Sequence, residues 1–295
     1  MSDTEIQLNN LLQKIRDEFP DLRWQKSVYI DSGKVNHAVI LDDSLIFRFP
    51  REKECEEFLN LEIELLAILK SYISIPIPHY AYVAKDRSFA GYDFIQGESL
   101  TKEMLNNLII SEQEKISDDL ATFLSELHNI PTDKVSHLNI RKDMWNEKNL
   151  LSLENQVHEY LQPRLSKEEI SKIEKHLEIS KKLLVDKINP VLVHQDIYGR
   201  NILIKDGRVS GIIDFNQPSI ADPAQDFEGL IEFGEKFVEN IFEKYQDHKD
   251  KNFLLRVRLY FERMALWTMV GSLQGYTGTF EDGYDMFKDR FNKYL

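Results

Sequence analysis

The chain has 295 residues, 42% of them apolar and 29% charged, with a formal net charge of −13 and a single cysteine, Cys55. Such a chain can bury a full core and split into two lobes. Its acidic balance argues against nucleic acid as a partner, because phosphate binding needs a basic surface. One cysteine excludes an internal disulfide and fits a reducing, cytoplasmic setting, and no run of about eighteen apolar residues marks a membrane span. The acidic charge either serves solubility alone or attracts a polycationic substrate.

The N-terminus lacks the basic-then-apolar order of a secretory signal. Instead Ile6, Leu8, Leu11, Leu12 and Ile15 form an amphipathic pattern. Residues 35–41 and 45–49 are rich in β-branched and aromatic residues and predict two strands, joined by a turn at Asp42-Asp43-Ser44. Ser32-Gly33, just before them, reads either as a plain turn or as a turn over phosphates. In the second strand the two-residue period puts Leu45, Phe47 and Phe49 on one face and Ile46 and Arg48 on the other. Arg48 is thus either a solvent-facing edge charge or a phosphate-holding cation. A helix follows through Phe58, Leu59, Leu61, Leu65, Leu66 and Leu69, with Glu62 inside it. Glu62 reads either as a solvated charge or as the acid that holds the cation in place. Residues 89–100 predict a strand running into a link, broken at Gly97.

Further along, Ile116, Leu120, Phe123, Leu124 and Leu127 recur at three- and four-residue steps, the pattern of a buried helix face, with Pro131 just past its end. Ser166 and Glu169 make a capping-box pattern that opens a helix through Ile170, Ile173, Leu177 and Leu184. Asp206-Gly207 marks a hairpin turn. From residue 226 onward the chain reads as helical.

The most informative stretch is 191–214. His194, Asp196, Asn201 and Asp214 lie in it, between apolar runs. Phosphoryl transfer needs a carboxylate near the attacking hydroxyl and oxygen ligands for magnesium. A short loop carrying Asp196 and Asn201, beside a hairpin ending in Asp214, brings such groups together. Only seven residues separate Asp214 from Asp222. That leaves little room for the activation segment of a protein kinase and favours a small-molecule acceptor.

These residues, with Ile75-Pro-Ile-Pro78, Ser88-Phe-Ala-Gly-Tyr92, Leu120–His128, Ile212–Phe215 and Asp222–Phe227, resemble the aminoglycoside phosphotransferases over nearly the whole chain, most closely the 2″-phosphotransferase subgroup. The resemblance implies an α+β, protein-kinase-like fold with a small β-rich N-lobe (1–96) and a larger, mainly helical C-lobe (97–295). It implies Asp196 as the catalytic carboxylate, Asn201 and Asp214 as magnesium ligands, and His194 as a brace for the loop. It places Ser32, Gly33, Arg48 and Glu62 around the phosphates of ATP or GTP, Tyr92 at the inner end of the purine pocket, and the backbone of Asp93 and Ile95 against the purine. Asp222 and Asp226 are expected to order the chain after the metal site. Glu228, Glu232 and Glu235, at helical spacing, are expected to hold a cationic acceptor, with Glu262 and Trp267 as further candidates. Arg48 in place of lysine, Val35 in place of a second glycine, and Asn216 after Asp214-Phe215 depart from the subgroup's pattern. The expected activity is phosphorylation of an aminoglycoside, conferring antibiotic resistance, by a cytoplasmic monomer with no nucleic-acid or membrane partner. The alternatives are a kinase of a macrolide or a metabolic alcohol, and an inactive nucleotide-binding module.

Overall fold

The computed structural model describes residues 3–31, 33, 35–143, 147–183, 188–276 and 278–294. Ser32 and Leu184 therefore lie outside the described residues. The N-terminal amphipathic pattern forms helix α1 (Asp3–Glu18). Behind it comes a five-stranded antiparallel sheet of β1 (Ser27–Ile30), β2 (Asn36–Leu41), β3 (Leu45–Pro50), β4 (Tyr80–Val83) and β5 (Ala90–Asp93), in the order β1-β2-β3-β5-β4. Helix α2 (Glu56–Leu69) follows β3 in the chain. The β2–β3 turn is made by Asp42 and Asp43, both at positive φ. The Asp42 carboxylate accepts from the backbone N–H of Gln25 and Lys26, which ties the turn to the strand beside it.

The two-residue period of β3 holds. Phe47 and Phe49 are buried with Val39, Leu41, Leu11, Leu12 and Ile15, so one face of the sheet and α1 share a core. Ile46 and Arg48 point to the opposite side. β3 pairs with β2 on one edge and β5 on the other. Arg48 is thus on a central strand, and the solvent-facing edge reading of it does not apply.

The predicted strand at 89–100 is two strands in two sheets. After β5, Gly97 adopts φ +152, and a Cβ there would lie 2.4 Å from Ser210 Oγ, so only glycine fits the crossing. Then β6 (Glu98–Ser99) pairs with β9 (Ile202–Lys205). β9 in turn pairs with β10 (Arg208–Ile212) around the Asp206-Gly207 turn, whose residues both have positive φ, as a two-residue hairpin requires.

Between these elements come helices α3 (Lys102–Asn107) and α4 (Ile110–His128), strand β7 (Arg141–Asp143), α5 (Glu147–Gln156), which runs into a π-helical turn at Val157–Leu161, α6 (Lys167–Leu183) and strand β8 (Val191–Val193). The expected α4 face is buried throughout. The capping box at α6 is formed: Ser166 N–H donates to Glu169 at 2.7 Å, and Glu169 N–H to Ser166 Oγ at 3.3 Å. β11 (Ser219–Ala221) joins β8 and β7 in a small sheet. The chain ends in a 3₁₀ segment (Pro223–Phe233) and helices α7 (Glu235–Lys244), α8 (Phe253–Leu273) and α9 (Phe280–Tyr294). One large apolar core joins α2, α4, β9, β10, the 3₁₀ segment, α7 and α8. A second packs α5 and α6 against α8 and α9. No helix among the described residues is long and apolar enough to cross a membrane.

Candidate active site

A cavity of about 710 Å³ lies between the face of the five-stranded sheet that bears Arg48 and the segments after β8 and β10. It is lined by, among others, Gly33, Arg48, Tyr92, Asp196, Asn201 and Asp214. The sequence places these six residues in four separate stretches, and the fold gathers them around one space.

The 194–201 loop is held from behind. The buried Asp226 carboxylate accepts the backbone N–H of His194 at 2.8 Å and of Gln195 at 2.7 Å, and it accepts from His128 Nε2 at 3.1 Å. Gln195 sits at φ +72, an unfavourable conformation for a residue with a side chain. Its amide nitrogen donates to Ser219 Oγ at 2.8 Å and to Gln225 Oε1, which holds it there. Asp226 was expected to order the chain after Asp214; it fixes the loop before Asp196 instead. Asp222 accepts from Arg256 and Tyr260 of α8. The expected brace at His194 is in place. Asp196 N–H donates to His194 Nδ1 at 3.2 Å, so Nε2 carries the proton and donates to Ile213 O at 3.1 Å.

Both oxygens of Asp196 are engaged. Asn201 Nδ2 donates to Oδ2 at 2.7 Å and to the Asp196 carbonyl at 2.9 Å, while Arg200 donates to Oδ1. Because the Asn201 amide nitrogen is used within the loop, its carbonyl oxygen is the atom left to act as a ligand. Asp214 stands at φ +72. Its Oδ1 accepts from Arg48 Nη2 at 2.8 Å, and its side chain remains 31% exposed.

Arg48 also grips both oxygens of Glu62 at 2.8 Å. Glu62 is fully buried and additionally accepts from Tyr80 at 3.2 Å and from Phe215 N–H at 3.1 Å. Burial opposes charge on Arg48, but Glu62, Tyr80 and Asp214 outweigh it and hold the guanidinium protonated, well above its ordinary range. One side chain therefore joins β3, α2 and the segment after β10.

Tyr92, which lines the cavity, is buried and packs edge-on to Tyr80 at 5.1 Å. Burial pushes its phenol pKa up, so it stays neutral. Asp93 is exposed and pairs with Leu45 in the sheet, and Ile95 sits close over Gly211. Asp93 and Ile95 are not among the residues that line the cavity. In the loop between β1 and β2 Arg51 Nε donates to Gly33 O at 2.6 Å, and Arg51 also pairs with Asp31 at 2.5 Å. That clamp was not anticipated, and neither were Arg200 and Gln195. Only Arg200 had a signal in the sequence, its position four residues after Asp196.

The acids expected to form one acceptor-facing set do not share a face. The segment carrying Glu228 and Glu232 is 3₁₀ rather than α, and it ends at Gly234, where φ is +107. With three residues per turn instead of 3.6 the expected alignment is lost. Glu228 is buried beneath Tyr198, whose hydroxyl is 3.4 Å from Oε1. Burial pushes the Glu228 pKa up to about 7, against the pull of Arg263 and Arg290. Glu232 is exposed, and its Oε1 accepts the backbone N–H of Gly199 at 2.8 Å. Glu235 pairs with Arg258 at 2.6 Å. Glu262 is enclosed in the protein with His176 at 2.9 Å. Trp267 is exposed, with Arg263 4.2 Å over its ring.

Among the described residues no three His, Cys, Asp or Glu side chains converge on a metal site. The Asn201 and Asp214 oxygens suit magnesium all the same, since that hard ion takes few protein ligands and completes its shell with phosphate and water. An antiparallel N-lobe sheet over a mainly helical C-lobe, with a His-x-Asp loop and a second Asp in the cleft, defines a kinase-like phosphotransferase fold. The phosphotransferase enzyme family model matches residues 28–260, and the chain belongs to that family. The GDP complex of wild-type aminoglycoside 2'-phosphotransferase-IIIa superposes with a TM-score of 0.89 at 22% identity, covering 100% of both chains. The GDP and kanamycin complex of an APH(2″) enzyme gives 0.85 at 22% identity, covering 97% of this chain and 99% of that one. Macrolide 2'-phosphotransferase MphH from Brachybacterium faecium gives 0.73 at 15% identity, covering 97% and 99%. At these identities the likeness is one of fold.

Proposed function

We propose that this protein is a small-molecule kinase that moves the γ-phosphoryl group of ATP or GTP to a hydroxyl of an aminoglycoside, in the manner of the 2″-phosphotransferases. The observation that carries the reading is the convergence of Asp196, Asn201 and Asp214 with the Arg48–Glu62 pair around one cavity. The nucleotide occupies the cleft between lobes that meet at residues 96 and 97. Gly33 lies by its phosphates, Tyr92 at the inner end, and the Asp93 and Ile95 backbone against the purine. Asn201 and Asp214 hold magnesium, which neutralises phosphate charge when bound. Asp196 receives the acceptor hydroxyl and takes its proton late in the transfer. The hydroxyl oxygen bonds to the γ-phosphorus as the β–γ bridge breaks and the nucleoside diphosphate leaves. Arg48 holds positive charge beside the phosphates. Dependence on a nucleoside triphosphate suits a cytoplasmic monomer, and phosphorylation of an aminoglycoside would confer antibiotic resistance.

The net charge of −13 supports a cationic acceptor. A second reading, transfer to a macrolide or a metabolic alcohol, is favoured by one finding: Glu262 is paired inside the protein, Glu235 is paired with Arg258 in a partly exposed position and Glu228 is buried, which leaves few of the expected acids free for ammonium groups. The test is a phosphorylation screen over aminoglycosides, macrolides and metabolic alcohols with both nucleotides, followed by acceptor kinetics at low and high salt. An aminoglycoside held by charge shows an acceptor KM that rises with salt, because screening weakens exposed ion pairs. An uncharged, salt-insensitive best acceptor favours the second reading, and absence of nucleotide turnover with every acceptor defeats both.

A further inference from the structure

Arg48 and Arg200 are the two cations among the described residues that line the cavity. Arg48 is committed to two carboxylates, Glu62 and Asp214. Arg200 is committed to one, Asp196. Its placement is specific. The guanidinium lies 4.8 Å over the Tyr198 ring, a favourable site for a cation. Burial, and then Glu228, keep that phenol neutral. Gly229 lets the ring sit down against the 3₁₀ segment, since a Cβ there would lie 3.0 Å from the Tyr198 ring and 2.4 Å from Ile197 O.

The pairing competes with the function proposed for Asp196. A hydroxyl to be phosphorylated must reach an oxygen of that carboxylate, and each already accepts from a side chain, Oδ2 from Asn201 and Oδ1 from Arg200. Asn201 is buried and holds the loop's own backbone, so it stays. The Arg200 side chain is 61% exposed on a long flexible stem, so it is the partner that yields. A triphosphate entering the same cavity offers Arg200 phosphate oxygens in exchange, and a guanidinium binds these in the same forked geometry as a carboxylate.

Resting on the phosphotransferase reading above, we propose that Arg200 is a further catalytic residue. It caps Asp196 while the cleft is empty of nucleotide, then exchanges that carboxylate for the γ-phosphoryl group when the triphosphate binds. The exchange frees Asp196 Oδ1 for the acceptor hydroxyl and delivers a second cation to the group being transferred. In the transfer itself the acceptor oxygen forms its bond to the γ-phosphorus, the β–γ bridging bond breaks, the hydroxyl proton passes to Asp196, and Arg200 neutralises charge on the phosphoryl oxygens without exchanging a proton.

The test uses the full chain, with Arg200→Ala and Arg200→Lys beside the parent. Nucleotide binding is titrated first; a parent that binds neither ATP nor GTP overturns the phosphotransferase reading and this proposal with it. A crystal structure of the parent with magnesium and a non-hydrolysable triphosphate is expected to place Arg200 on γ-phosphoryl oxygens and off Asp196. Arg200 still on Asp196 in that complex overturns the exchange while leaving the phosphotransferase reading intact. In kinetics, Arg200→Ala is expected to lower transfer kcat by roughly a hundredfold, modest for an arginine that meets a transferring phosphoryl group, with nucleotide Kd little changed and partial recovery in Arg200→Lys. In Arg200→Ala acceptor-free hydrolysis is expected to fall by a similar factor, since both reactions lose the second cation on the γ-phosphoryl group. A fall in transfer kcat with parent-like hydrolysis means that Arg200 does not act on the phosphoryl group, and the proposal fails. Parent-like kinetics in Arg200→Ala also overturn it.

Discussion

Arg48 and Asp214 stand 166 positions apart in the chain and meet at 2.8 Å. The same guanidinium holds the buried Glu62, so one side chain on the central strand of the N-lobe sheet closes a three-way junction with α2 and the segment after β10. Truncating it leaves Glu62 enclosed without a cation, with the Tyr80 hydroxyl and the Phe215 N–H as its remaining donors. Arg48→Ala is expected to lose about 3–5 kcal/mol of stability, the scale for breaking a buried pair from one side, and to lose most nucleotide use. Arg48→Lys keeps charge but cannot fork to two carboxylates, so it should fall between parent and alanine variant in both urea midpoint and nucleotide KM. Equal nucleotide kinetics in all three proteins would remove Arg48 from the phosphate site.

Asp196 is expected to matter for turnover and little for nucleotide affinity. Asp196→Ala should lower kcat by about two to four orders of magnitude, the range for loss of a general base. Nucleotide Kd should hold, because Asn201 keeps its bond to the residue-196 carbonyl. Single-turnover kinetics with nucleotide titration separate the two quantities. Near-parent kcat would mean the loop has been assigned the wrong role.

Asp214 and Asn201 are proposed to present the magnesium oxygens. Excess chelator should abolish turnover, and readdition of magnesium should restore it. Asp214→Ala should abolish it irreversibly, while Arg48 retains Glu62 as a partner and the protein stays folded by circular dichroism. Full activity in chelator would count decisively against a metal-assisted transfer.

How far the sequence could be read depended on periodicity. The face of β3, the α4 stripe, the Asp206-Gly207 hairpin and the Ser166–Glu169 cap all rest on short-range rules, and each is present. The Asp196, Asn201 and Asp214 cluster was legible because a short loop and a hairpin leave those side chains little freedom to diverge. The acid set was not. Its spacing assumed 3.6 residues per turn, and Pro223–Phe233 is wound more tightly and stopped by Gly234. Residues that work through distant backbone left no local signal. Asp226 binding the His194 and Gln195 amides and Arg51 binding the Gly33 carbonyl are contacts that only the folded chain defines.

The divided acids separate by experiment. Glu232 supports the Gly199 amide, so Glu232→Ala should lower kcat by up to about tenfold, the scale of one charge-assisted hydrogen bond, with acceptor KM nearly constant. Glu235→Gln only loosens a partly exposed pair with Arg258, worth less than about 1 kcal/mol, and should leave acceptor kinetics unchanged. A salt-dependent rise of acceptor KM in Glu235→Gln would return that residue to the acceptor site.

Glu228 makes stability depend on pH in a set direction. Burial raises its folded pKa to about 7, against an ordinary value of 4.5. Between those values the folded state binds more protons than the unfolded one, so stability falls as pH rises. The contribution is fully present below pH 4.5, is lost as pH passes through about 7, and the cost is constant above that. A shift of this size corresponds to roughly 3 kcal/mol. Glu228→Gln keeps the shape and an oxygen for the Tyr198 hydroxyl but cannot ionise. Its stability should therefore match the parent near pH 5 and exceed it at pH 8, with a flatter profile in between. Urea unfolding of both proteins across pH 5 to 8.5 measures the difference. Parallel profiles would mean that Glu228 ionises in the folded protein as readily as in the unfolded chain, and that Arg263 and Arg290 compensate its burial in full.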